Sequence, residues 1–228
     1  MRDIIPDFLF DTIQRHLITH ARIAESGWES ASADEDTITG HLGATLQARG
    51  GHLVRLNGER WRWRVRYKKF QGRGRGAFEH VSGADGIIQV KVGLPEADAS
   101  SVVSKGMLFQ AKKNNIRRDR RLVEQIQRME GFGEGCSAVF EYRSDGFGAI
   151  GGGTLLERLT GAAPVGREGL QSLGEFLGSV FLQHDVGIRG MYYDGVRARL
   201  LVPTRLGEVR EFRVKLRHRI AIELERGA

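Results

Sequence analysis

From Arg60 to Lys68 apolar and charged residues alternate without a break. Trp61, Trp63, Val65 and Tyr67 share one side, and Arg60, Arg62, Arg64, Arg66 and Lys68 share the other. A period of two predicts a strand with one buried face. The run is preceded by His52–Leu56 and the pair Asn57-Gly58, which predicts a hairpin. Upstream the period is helical. Pro6 stands at a first helical position, Leu9, Ile13 and Leu17 follow at four-residue steps, and an amphipathic helix is expected over about 6–24. A second helix is expected from Asp34 to about Gln47. There Ser32-Ala33-Asp34-Glu35 reads as a capping box, with Ser32 as N-cap and Glu35 reaching back.

Two β-rich apolar runs, Gly86–Gly93 and Lys105–Lys112, flank the polar segment LPEADASSVVS, the pattern of a hairpin with a long loop. A helix should follow, running to about Glu130, with Leu122, Ile126 and Met129 buried and Gly131 as its stop. Cys136–Tyr142 reads as a strand, so strand, helix and strand predict a right-handed parallel unit. Residues 146–153 read as a glycine-rich loop. A helix is expected over about 168–183, with Leu170, Leu173, Leu177 and Val180 buried, and Met191–Val202 and Glu208–Leu224 read as strands of a C-terminal hairpin or small sheet. With no repeat or Pro-rich linker to divide the 228 residues, the expectation is one α/β domain over 1–228, a mixed central β-sheet flanked by helices. It carries an N-terminal helix (about 6–24) and a C-terminal β-rich extension (about 184–228).

Charge narrows the partner. The chain holds 35 Lys and Arg against 28 Asp and Glu, a net +7, which favours an anionic partner. The five cations of the alternating run lie about 6.8 Å apart, twice the rise per strand residue, and two nucleotides along one DNA strand advance by a similar distance. A solvated outer face is the plain reading, but five like charges in a row repel one another, so phosphate contact is favoured. Arg73 and Arg75 in the following glycine-rich run, and Lys113, Arg117, Arg118, Arg120 and Arg121 after the second hairpin, add basic patches. The Trp residues face away from the cations, so duplex DNA fits better than single strands. The single Cys136 excludes an internal disulfide and reads as an inert core thiol. With no signal-peptide pattern and no stretch of about 18 apolar residues, a cytoplasmic protein with no membrane partner is expected.

The candidate chemistry sits at one end of the second hairpin. Constant position sums place Asp85 beside Gln110 or Lys112, and Gln110 and Lys112, two apart, leave the strand on one face. A carboxylate, an amide and an amine so placed suit metal-assisted phosphodiester hydrolysis. Asp85 and the Gln110 carbonyl would be oxygen ligands for Mg²⁺, with Mn²⁺ as a substitute, and Lys112 would offset phosphate charge or orient the attacking water.

Gly83-Ala84-Asp85-Gly86, an apolar run, then Phe109-Gln110-Ala111-Lys112-Lys113 resembles the PD-(D/E)xK nuclease superfamily, in particular its Mrr-like branch, where Gln replaces the usual acid before x-Lys. The resemblance covers the middle third of the chain. It implies a restriction-endonuclease-like core, a metal-dependent DNA endonuclease, Asp85 as metal ligand, Gln110 at the variant metal position, Lys112 as catalytic lysine, and a setting in restriction or antiphage defence. Nucleases of that fold often carry a metal-site Glu on a helix before the catalytic sheet. Glu35 is the candidate here, with the cap and the ligand readings side by side, whereas Asp34 and Asp36 are expected to point elsewhere. Cutting both strands implies a homodimer or higher homo-oligomer. The alternatives are a non-cleaving DNA- or RNA-binding protein on the same fold and an RNA nuclease. His16 and His20, His41 and Lys91 read as surface residues, Gln125 as a boundary residue, Glu96 and Asp98 as exposed loop, and Glu79 and His80 as neighbours of the site that nothing in the spacing draws into it.

Overall fold

The computed structural model describes residues 1–31, 33–56, 58–70, 82–93, 102–114, 116, 119, 121–161, 169–183 and 185–227. The expectations for Ser32, Arg73, Arg75, Glu79, His80, Glu96, Asp98, Arg117, Arg118 and Arg120 lie outside the described residues.

Helix α1 (Asp7–Ser26) turns Leu9, Phe10, Ile13, Leu17, Ala21 and Ala24 inward, the stripe its period predicts. After a short α2 (Trp28–Ala31) comes α3 (Glu35–Leu46). The N-cap of α3 is Asp34, whose carboxylate accepts from Thr37 N at 2.7 Å. This corrects the capping box: Glu35 is the first helical residue, so its side chain is free of that role. Strands β1 (Ala48–Leu56) and β2 (Glu59–Lys69) form the expected antiparallel hairpin, with Leu56 opposite Glu59. Trp61, Trp63 and Val65 are buried, as the alternation requires.

Strands β3 (Gly86–Gly93) and β4 (Val103–Lys113) are antiparallel, α4 (Leu122–Glu130) follows, and β5 (Ser137–Arg143) lies parallel to β4. Helix α4 begins at Leu122, with Arg121 at its N-cap position. Residues 146–151 are not a loop. They form β6 (Gly146–Gly151), paired along its length with β5 and burying Phe147 and Ala149. Helix α5 (Gly152–Thr160) follows.

The helix expected over 168–183 is also different. A two-residue β7 (Gln171–Ser172) leads to one α turn, α6 (Leu173–Glu175), and a π-helical segment, Phe176–Phe181. Gly174 and Gly178 let this segment press on α1. A Cβ on Gly174 would lie 2.9 Å from the Ile18 Cα.

The strands of the C-terminal β-rich region divide between two sheets, where one hairpin or small sheet was expected. Strands β9 (Tyr192–Asp194), β10 (Arg199–Pro203) and β11 (Val209–Arg213) form a separate three-stranded sheet, and β8 (Ile188–Arg189) pairs with β4. The last strand, β12 (His218–Gly227), enters the main sheet between β2 and β3, antiparallel to the first and parallel to the second. Among the described residues the main sheet has nine strands, in the order β1-β2-β12-β3-β4-β5-β6-β7 with β8 beside β4. The fold is thus a mixed central sheet flanked by helices.

Side-chain parity assigns the two faces. Ile88, Phe109, Ala111, Phe140 and Ile220 pack with α1 and α3 in one cluster. Ile87, Leu108 and Val139 pack with α4, α5 and the small sheet in the other. Residues of like parity share a face, so Asp85, Gln110, Lys112 and Glu141 belong to the α4 side.

Candidate active site

Gly83 holds the turn that enters β3. Its φ is 72°, in the left-handed region, and a Cβ there would lie 2.4 Å from the Gln125 carbonyl oxygen on α4. Only glycine allows both the angle and the approach. The turn delivers Asp85, which is 5% exposed. Its N–H donates to Phe109 O at 2.8 Å and its carbonyl accepts from His218 N at 3.1 Å, so the main chain is clamped between β4 and β12.

The register resolves the position sums: Gly86 faces Phe109, so Asp85 faces Gln110. Asp85 Oδ2 accepts from Gln110 Nε2 at 2.6 Å and from Ala111 N at 2.8 Å. Gln110 is 1% exposed, and its Oε1 is buried without a hydrogen-bond partner among the described residues. A buried, unpaired carbonyl oxygen beside a buried carboxylate leaves one acceptor unsatisfied, at a cost of about 1–3 kcal/mol. Lys112, on the same face, ion-pairs with Asp119 at 2.6 Å. Burial opposes ionisation of Asp119, but the Lys112 ammonium and the Arg121 N–H outweigh it and hold the carboxyl below its usual range. Opposite Lys112 on β5 stands Glu141, 3% exposed, whose carboxylate accepts from Ile116 N at 3.1 Å.

Glu35 approaches from the other layer. Its carboxylate accepts from Lys113 N at 2.9 Å, so it meets the end of β4 from the α3 side, opposite the face that carries Gln110 and Lys112. Lys113 lies over the Trp28 ring at 5.8 Å. Among the described residues no group of three or more His, Cys, Asp or Glu is close enough to hold a metal ion.

Asp36, expected to point elsewhere, joins the site through a chain of bonds. His218 is fully buried, with Nε2 at 2.9 Å from Asp36 Oδ1 and Nδ1 at 2.9 Å from the Tyr67 hydroxyl. Burial pushes the imidazole down to about 4, against the pull of Asp36. The ring is therefore neutral at pH 7. Burial and the Asp36 charge push the Tyr67 phenol up, so Tyr67 donates to Nδ1 and Nε2–H donates to Asp36. Lys69 binds the other Asp36 oxygen at 2.5 Å. Arg217 stands between the layers, with Nη1 at 3.7 Å from Asp85 Oδ1 and Nε at 3.9 Å from Asp36 Oδ1.

The basic face of β2 is less uniform than its sequence. Arg64 is bound by Glu223 at 2.6 Å and Glu225 at 3.3 Å, and Arg66 lies 3.2 Å from Glu223. Arg60, Arg62, Arg66 and Lys68 are exposed. A cleft of ≈ 550 Å³ is lined by Gln47, Ala48, Arg64, Val65, Arg66, Tyr67, Lys68, Arg219 and Ala221.

Cys136 is buried with its Sγ directed at Met129 O, and burial pushes the thiol up. His16 and His20 are half-buried and stacked at 3.9 Å, with the His16 ring edge-on to Trp63, so they are not a surface pair. His41 is half-buried against Gly27. Gln125 is half-buried at the edge of the α4 stripe, and Lys91 lies over Tyr192. No described helix is long and apolar enough to cross a membrane.

Sequence reasoning missed Asp36, Asp119, Glu141, Arg217 and His218. Asp119 alone carried a signal, as the one acid in a basic run. Comparison with family models, curated proteins and solved structures finds no match for the chain.

Proposed function

We propose that the protein is a metal-dependent endodeoxyribonuclease of the PD-(D/E)xK kind, with Asp85, Gln110 and Lys112 at its centre and a restriction-endonuclease-like core around them. The observation that carries this reading is the Asp85–Gln110 pair: a buried carboxylate 2.6 Å from an amide whose Oε1 has no partner among the described residues. With Oε1 in place of Nε2, the pair would offer two oxygens to a hard cation, which takes one or two carboxylates together with water and substrate phosphate. Turning the Gln110 amide over brings Oε1 toward Asp85. Asp85 and Gln110 are the residues that would hold Mg²⁺ or Mn²⁺, and the ion would supply Lewis-acid polarisation of the phosphoryl group and a more acidic water.

Around that point the chain's own groups have separate tasks. Gly83 and the clamp on the Asp85 main chain fix the carboxylate. Lys112, released from Asp119 to the incoming phosphate, offsets charge that develops at phosphorus. Glu35 holds Lys113 N and thereby the end of β4. Its carboxylate reaches the metal only from the far side of the strand, so its principal task is to position Lys112. Exposed Arg62, Arg66 and Lys68, with Arg60 at the strand end, suit a phosphate backbone. Cutting both strands requires two sites, so a homodimer belongs to the proposal. A cytoplasmic role in restriction or antiphage defence follows from the family resembled.

A second reading, a DNA-binding protein that does not cut, is favoured by the Lys112–Asp119 ion pair and by the donation from Gln110 Nε2 into Asp85, which give the ammonium and the carboxylate partners within the chain. Incubation of supercoiled and linear DNA with Mg²⁺, Mn²⁺ or EDTA separates the two. Under the nuclease reading, wild type cuts with metal, Lys112→Ala and Asp85→Asn lose about 100-fold or more, and Glu35→Gln cuts at a reduced rate. Salt-sensitive binding with no cutting by wild type in either metal selects the second reading.

A further inference from the structure

The ladder between β2 and β12 changes character along its length. At its far end the same-face cross-strand pairs are of opposite sign, Arg62 with Glu225 and Arg64 with Glu223. Ala221 then faces Arg66, and at the end nearest Asp85 the pair is Lys68 with Arg219, two like charges directly opposite. Such a pair opposes folding, where a mixed pair would support it.

Arg219 adds a second sign of an absent partner. Its Nε is buried without a hydrogen-bond partner among the described residues, and its Nη2 lies 3.9 Å from Glu223 Oε1, a long contact to a carboxylate whose other oxygen takes Arg64 and Arg66. Lys68 and Arg219 both line the ≈ 550 Å³ cleft. Two residues before Arg219 comes Arg217. Continuing the β12–β3 register by one residue sets it beside Asp85, and Asp85 faces Gln110, so the three form a row across the sheet. The Arg217 side chain is 35% exposed and that of Asp85 only 7%, so the guanidinium is the more accessible group of the pair.

We propose that Lys68, Arg219 and Arg217 form a phosphate track that leads one strand of a DNA duplex from the cleft to Asp85. This rests on the reading of Asp85 and Gln110 as the hydrolytic site. The like-charged pair would bracket one phosphate, which removes their mutual repulsion and gives Arg219 Nε an acceptor. Arg217 would hold the next phosphate bidentately, the geometry in which guanidinium outperforms ammonium. Arg64, held by two carboxylates, lies outside the track.

The test is fluorescence anisotropy of a short labelled DNA duplex in EDTA, between about 50 and 200 mM salt, beside the cleavage assay in Mg²⁺. Each phosphate contact contributes about 0.9 to the slope of log K against log salt. Arg217→Gln, Arg219→Gln and Lys68→Gln should each make the slope shallower by about 0.9. Arg219→Lys should restore it, and Arg217→Lys should restore the slope with weaker binding. Arg205→Gln, at a residue 93% exposed and outside the track, should leave the slope unchanged. Melting curves verify that each variant is folded. Wild-type slopes in Arg217→Gln and Arg219→Gln, or no salt-sensitive binding by wild type, would overturn the track. If the slopes fall as expected but wild type never cuts, the track stands and the hydrolytic reading fails. Cutting with unchanged slopes gives the reverse.

Discussion

Replacing Gly83 with Ala tests whether the turn that delivers Asp85 is clamped against α4. The structure imposes two costs. At φ 72° an L-residue pays roughly 1–2 kcal/mol for the left-handed conformation. The new methyl would also lie 2.4 Å from Gln125 O, 2.7 Å from its Cα and 2.9 Å from its carbonyl carbon. These are backbone atoms of a helix and cannot rotate away, so the overlap adds a further cost of about 1–3 kcal/mol. Gly58 is the internal control. It has φ 82°, and a Cβ added there would meet nothing within 4 Å, so Gly58→Ala carries the conformational cost alone. The gain from stiffening the unfolded chain is common to both and cancels. Urea unfolding followed by circular dichroism should therefore find Gly83→Ala less stable than Gly58→Ala by about 1–3 kcal/mol, or some degrees in Tm at roughly 2–4 °C per kcal/mol for a chain of this size. Equal losses in the two variants would refute the clamp, and with it the account of how Asp85 is held.

Three further outcomes are expected. His218 has its pKa lowered to about 4 from 6.5, so the unfolded chain binds the proton more readily. Its contribution to stability is complete above pH 6.5 and declines as pH falls toward about 4, and urea midpoints measured across that window should flatten in His218→Gln. Lys105 is fully buried, donates to Phe181 O, and is pushed by burial down to about 8. The folded state favours the neutral amine, so stability should rise between about pH 8 and 10.5 in wild type, and denaturation of Lys105→Met over the same range should lack that rise. Glu35→Ala strands the Lys113 N–H and should cost about 1–3 kcal/mol, while Glu35→Gln keeps an acceptor and should cost less than half as much. Equal losses in the urea titration would mean that the contact is not what Glu35 contributes.

Local pattern was enough for the elements whose information is local. The alternation of 60–68, the β1–β2 hairpin and the stripe of α1 appear as read, and the Asp85–Gln110 pairing is one of the two that the position sums allowed, because strand period and antiparallel pairing are properties of short segments. Where the pattern was ambiguous it misled. Glycine-rich 146–151 lacks the side chains that mark a strand, yet β5 supplies the partners along its length. Asp34 caps α3 in place of Ser32, which left Glu35 available to reach β4.

What no local pattern contains is the destination of the C-terminal strand. Its alternation announces a strand but does not name its neighbours, and only the packed sheet inserts β12 between β2 and β3. That insertion carries Arg217 to Asp85, buries His218 between Tyr67 and Asp36, and sets Glu223 against Arg64 while leaving Arg219 against Lys68. The residue types of the candidate site were therefore written along the chain, whereas its charge balance was decided by a pairing between distant segments, because hydrogen-bonded ladders and buried ion pairs depend on which strands become neighbours in space.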